Sequence, residues 1–87
     1  MNYIILEEGV LKNNLYKELL ETATSLEDAH TIAQTTAEDY LAHFFNGEAD
    51  IYYDNDIPEE YNNKCGILLK DSEGQYIHIR IIESKYA

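Results

Sequence analysis

The chain has 87 residues, of which 17 are acidic and 6 basic, for a formal net charge of −11. That balance argues against direct binding of nucleic acid or anionic lipid, which rests on Lys and Arg neutralising phosphates. It favours partners with basic surfaces, although acidity also serves solubility alone. A chain of this length implies one domain, over 1–87, and its single cysteine, Cys65, allows no internal disulfide.

The first residues, Met1 to Glu8, lack the basic start and long apolar run of a signal peptide. No apolar stretch approaches the roughly 18 residues of a membrane span. A cytoplasmic location with no membrane contact is therefore expected.

In chain order, Tyr3–Leu6 is apolar and β-branched at its centre and reads as a strand continuing to Glu8. Val10–Ala23 supports two readings. Leu11, Leu15 and Leu19 recur at helical spacing, whereas Asn13-Asn14 signals a turn. The hairpin reading, Tyr3–Glu8 paired with Tyr16–Thr22, is favoured because the first strand needs a partner.

Ser25–Asn46 is the strongest signal. Ser25 with Asp28 three residues on forms a capping-box pattern. At about 100° per residue, Leu26, Ala29, Ala33, Ala37, Tyr40, Leu41 and Phe44 share one face, with Asp28, Thr31, Thr35, Glu38 and Asp39 opposite. Asn46-Gly47 supplies a stop. The alanines let the helix backbone approach a sheet of large aliphatic side chains. His30 falls near this stripe and is expected to pack at the sheet edge rather than to act as a ligand.

Ile51–Tyr53 has strand character, and Asn55–Lys64 reads as a long loop in which Pro58 excludes a central strand. Cys65–Lys70 and Tyr76–Ile82 flank the turn Asp71-Ser72-Glu73-Gly74 and form the clearest hairpin. Ile77, Ile79 and Ile81 alternate with Tyr76, His78, Arg80 and Ile82, so the isoleucine row should face the helix. The opposite row is too apolar for open solvent; it is either an interface or covered by the Val10–Thr22 segment. The expected fold is α+β: an antiparallel sheet of four to five strands packed on one long helix, Ser25-Asn46.

The most distinctive local feature is the acidic stretch from Glu48 to Tyr61. Glu48, Asp50, Asp54, Asp56, Glu59 and Glu60 occur with no basic residue among them, and Tyr52, Tyr53 and Tyr61 are interleaved. Carboxylates spaced along a strand and loop can copy a run of backbone phosphates, and the rings add contact area. These nine residues are the candidate partner-binding site; the competing reading is a solvated acidic loop. Asp50, Asp54 and Asp56 loosely suggest a calcium loop, but Pro58, the missing glycine and the spacing to Glu60 break the pattern, so no metal and no cofactor is expected. Cys65, His78 and Asp71 supply the residue types of a thiol nucleophile, yet nothing nearby activates the thiol. No phosphate loop, serine elbow or paired cysteine occurs, and no enzymatic activity is expected.

Taken with the small size, the acidic run Glu48–Glu60 and the terminal hairpin Cys65–Gly74 give the chain a character that resembles small phage-encoded anti-defence proteins, among them anti-CRISPR proteins and DNA mimics such as uracil-DNA glycosylase inhibitors. The resemblance implies a stoichiometric inhibitor acting in the bacterial host cell. It would occupy the basic surface of a nucleic-acid-binding protein or CRISPR effector complex. The alternative is a non-enzymatic structural or assembly protein, a homodimer or a docking module, that associates through its exposed sheet face.

Overall fold

The computed structural model describes residues 2–61 and 65–84. It is an α+β fold in which five antiparallel strands form one sheet and a single helix crosses one face. The strands are β1 (Asn2–Leu11), β2 (Asn14–Ala23), β3 (Asp50–Tyr53), β4 (Gly66–Lys70) and β5 (Tyr76–Ser84), and the helix is α1 (Leu26–His43). The sheet order is β2-β1-β5-β4-β3.

The hairpin reading of the first 23 residues holds, and its strands run further than expected. Lys12 and Asn13 both have positive φ, 51° and 66°, which is the backbone of a two-residue type I′ turn. The turn therefore lies one residue earlier than the Asn13-Asn14 signal, and Leu11, Leu15 and Leu19 belong to strands rather than a helix. A register shift between Ile5 and Leu6 leaves Leu20 as the extra residue of a β-bulge, and Leu20 packs against the core.

Ser25 caps α1, its Oγ accepting from the Asp28 N–H at 3.1 Å. Ala29, Ala33 and Ala37 are buried under the helix, and Thr31, Thr35, Glu38 and Asp39 face solvent. Two details differ from expectation. Leu26, at the first helical position, is 43% exposed, so burial begins only at Ala29. The helix also stops at His43, short of Asn46. The Phe45 N–H bonds the Tyr40 carbonyl, and the Gly47 N–H bonds the Leu41 carbonyl at 2.8 Å. This closing turn uses positive φ at Asn46 and Gly47 and drives the Phe45 ring into the core.

The core under the helix joins Ile5 of β1, Ile67 and Leu69 of β4, and Ile77, Ile79 and Ile81 of β5 to the three alanines. Ile81 stands opposite Ile5, and Ile67 opposite Ile79, so the isoleucine row faces the helix as the alternation requires. Gly9 is dictated by close approach, since a Cβ there would lie 2.0 Å from the Tyr76 carbonyl oxygen. Glu7 shares this dry face, opposite Ile79, and is only 3% exposed. One of its oxygens accepts from the Tyr40 hydroxyl at 3.0 Å, and burial pushes its pKa up.

The other face of the sheet carries Leu68, Tyr76, His78, Arg80 and Ile82. It is neither open nor covered by residues 10–22. Over β4 and β5 the cover is the segment after β3, two short 3₁₀ turns at Asp54–Asp56 and Glu59–Tyr61. The Tyr61 ring packs edge-on against Tyr76 at 5.1 Å and His78 at 6.1 Å, and Ile57, Leu68 and His78 are fully buried outside the helix-side core. Burial, with the Arg80 guanidinium nearby, lowers the His78 pKa to about 4. Arg80 donates to Glu8 at 2.8 Å on the same face.

Candidate functional site

The stretch from Glu48 to Tyr61 leaves the end of α1, forms edge strand β3, and folds back across the outer face. The structure divides its nine candidate residues into two groups. Glu48, Asp50, Asp56, Glu59 and Glu60 are exposed, and Tyr53 is 44% exposed. Asp54 and Tyr61 are half-buried and engage the body of the domain. Tyr61 is part of the cover, with the Lys70 ammonium 6.0 Å over its ring. Tyr52 is half-buried opposite Leu68 of β4. Asp50 stands across from Lys70, the one cation facing this stretch from a paired strand among the described residues. Lys64, within the expected loop 55–64, lies outside the described residues.

Asp54 is where the chain reverses out of β3. Its φ is +44°, a left-handed conformation that Asp tolerates better than most side chains. The reversal carries its carboxylate back to the body of the domain. Oδ1 accepts from the Gly66 N–H at 3.0 Å, at the start of β4, and lies 3.3 Å from His30 Nε2. His30 thus lies at the sheet edge but only half-packed: its side chain is 38% exposed, facing Asp54 at 47%. The second ring nitrogen, Nδ1, lies 3.0 Å from the Leu26 carbonyl one turn earlier. Cys65 completes a group in which one ligand-type atom from each of His30, Asp54 and Cys65 lies within 4.8 Å of the other two.

Burial and the neighbouring Asp54 carboxylate raise the Cys65 pKa, which disfavours the thiolate. The grouping of Cys65 with His78 and Asp71 does not form. His78 is buried under Tyr61, and Asp71 is used in its own turn, accepting from the Glu73 and Gln75 N–H groups at 2.9 Å each. Beside His30 a shallow groove of about 520 Å³ runs between α1 and the β3–β4 edge, lined by Glu27, Gln34, Thr35, Tyr53 and Ile67.

Sequence reasoning missed the meeting of His30, Asp54 and Cys65. They are 24 and 11 residues apart and no local motif joins them. The only available signal was the Asp-Asn pair closing β3, residues suited to a left-handed reversal that turns the chain back on itself.

No protein-family model, curated protein or solved structure matches this chain. No helix among the described residues is long and apolar enough to cross a membrane.

Proposed function

We propose that the protein is a non-enzymatic inhibitor that docks its acidic edge, Glu48 to Glu60, onto the basic surface of a nucleic-acid-binding protein, in the manner of anti-CRISPR proteins and nucleic-acid mimics. The observation that carries this reading is the exposure of Glu48, Asp50, Asp56, Glu59 and Glu60 on one short segment that is braced against the sheet by Ile57 and Tyr61. A braced row of carboxylates presents charge at low ordering cost, which distinguishes it from a solvated loop. The test is capture of partners from a bacterial lysate on tagged protein, followed by elution with duplex DNA or RNA. A basic nucleic-acid-binding protein released by nucleic acid, and not captured by the Asp56→Lys/Glu59→Lys/Glu60→Lys variant, is the expected result. Capture that survives the triple reversal at low salt contradicts the proposal.

A second reading is self-association, now moved from the covered β5 row to β2. Leu15 is 84% and Leu19 57% exposed on that strand, which ends the sheet among the described residues. Antiparallel pairing of two copies about Lys17 sets each Leu15 opposite the other chain's Leu19. Sedimentation of the wild type and a Leu15→Lys/Leu19→Lys variant decides it: a dimer converted to a monomer supports the reading, and a wild-type monomer at high concentration removes it.

A further inference from the structure

We propose that His30, Asp54 and Cys65 form a binding site for a divalent zinc ion. The three residues come from three different elements: the second turn of α1, the reversal after β3, and the residue before β4. Each offers a ligand type that zinc accepts, an imidazole nitrogen, a carboxylate oxygen and a sulfur, and their donor atoms already lie within 4.8 Å of one another. Tetrahedral coordination at about 2.0–2.3 Å needs them slightly closer, a movement within reach of half-exposed side chains. Neither calcium nor magnesium suits this set, since both take oxygen ligands.

The hydrogen bonds around His30 orient its ring for this role. A carbonyl oxygen only accepts, so the 3.0 Å contact to Leu26 places a hydrogen on Nδ1. In the neutral ring this leaves a lone pair on Nε2, aimed at Asp54 Oδ1, itself an acceptor, 3.3 Å away. A metal ion seated between Nε2 and Oδ1 would be held by a lone pair from each. An Nδ1–H held by a backbone carbonyl is also the arrangement that orients a metal-bound imidazole through Nε2. The Gly66 N–H bond to Oδ1 fixes the carboxylate in the same way. With three protein ligands the fourth position is left for solvent, which the half-exposed side chains of His30 and Asp54 already meet. A bound ion would clamp the start of the acidic segment to the helix and to β4. The site stands whether or not that segment docks a partner.

The test is titration of the reduced full-length chain with Co²⁺ as a spectroscopic stand-in, then with Zn²⁺ in competition. The expected result is one equivalent bound with micromolar or tighter affinity, a thiolate-to-cobalt charge-transfer band in the near ultraviolet, tetrahedral d–d bands in the visible, and a zinc-dependent rise in melting temperature. Cys65→Ser should abolish the charge-transfer band, and Asp54→Asn should weaken binding on the order of 100-fold. Asp39→Asn, on the exposed face of α1, should change nothing. Absence of the band and of a zinc-dependent melting shift in the wild type overturns the proposal. Binding that Cys65→Ser leaves intact also overturns it. Should either variant fail to fold, the wild-type spectrum alone decides.

Discussion

The two faces of the sheet are buried by different means. On the helix side, three alanines at regular spacing sit over a row of isoleucines, and both partners follow the simple periods of helix and strand. On the other side, an irregular segment without regular strand or α-helix covers only β4 and β5, using Ile57 and Tyr61. The first face is built from local pattern. The second is built from a chain reversal, and it buries a histidine as well as aliphatic groups. The difference teaches that an acidic, proline-containing loop can be a structural layer while displaying its charges outward.

The largest test of that contrast is Ile57→Ala. Ile57 is 1% exposed and anchors the cover, so truncation should cost about 2–5 kcal/mol, a core-sized penalty from a loop residue. Chemical denaturation measures it; a loss of the size seen for a surface residue would mean the cover is not part of the fold.

Next in size is the acid response of the covered face. The His78 pKa is about 4 in the folded protein against 6.5 for the free side chain. Because the folded value is depressed, the unfolded chain takes up the proton first as pH falls. Stability present above about 6.5 is therefore lost progressively down to about 4, by roughly 3 kcal/mol in all. Urea midpoints across this window should fall for the wild type and fall less for His78→Gln.

On the helix face, Ala33→Leu should overpack the contact with the sheet and cost about 1–3 kcal/mol. An unchanged melting temperature would contradict the close approach that the alanines permit.

The smallest effect is expected at Glu7. Its folded pKa is raised, so the folded state favours the protonated carboxyl and the ionised form costs stability at neutral pH. Glu7→Gln, which keeps an acceptor for Tyr40, should raise the denaturation midpoint at pH 7. That gain should vanish as pH falls below the ordinary carboxylate range. A gain that persists in acid would assign it to something other than ionisation.

The helix face was legible from the sequence because each residue's role there depends on neighbours three, four or two positions away. Ala29, Ala33 and Ala37 announce a helix lying close to a sheet, and Ile77, Ile79 and Ile81 announce the strand they meet. The turn at Lys12-Asn13 was less legible, since a lysine at positive φ is chosen by the hairpin's twist rather than by its own preference. The outer cover was not legible. Nothing local to Tyr61 says that its ring returns to His78, nor to Ile57 that it is buried, and a charged segment with a proline reads as solvent-exposed. The acidic residues of the candidate surface were all visible in the sequence. Which of them point outward was not: a single left-handed residue turns the Asp54 carboxylate back towards His30 and Gly66.

The most direct test of the proposed function is the association rate with a captured partner, measured as a function of ionic strength. Docking through Glu48, Asp50, Asp56, Glu59 and Glu60 predicts fast association that slows steeply with added salt, and a slow, nearly salt-independent rate for the Asp56→Lys/Glu59→Lys/Glu60→Lys variant. Equal rates and equal salt dependence for the two proteins would contradict the acidic edge as the contact surface.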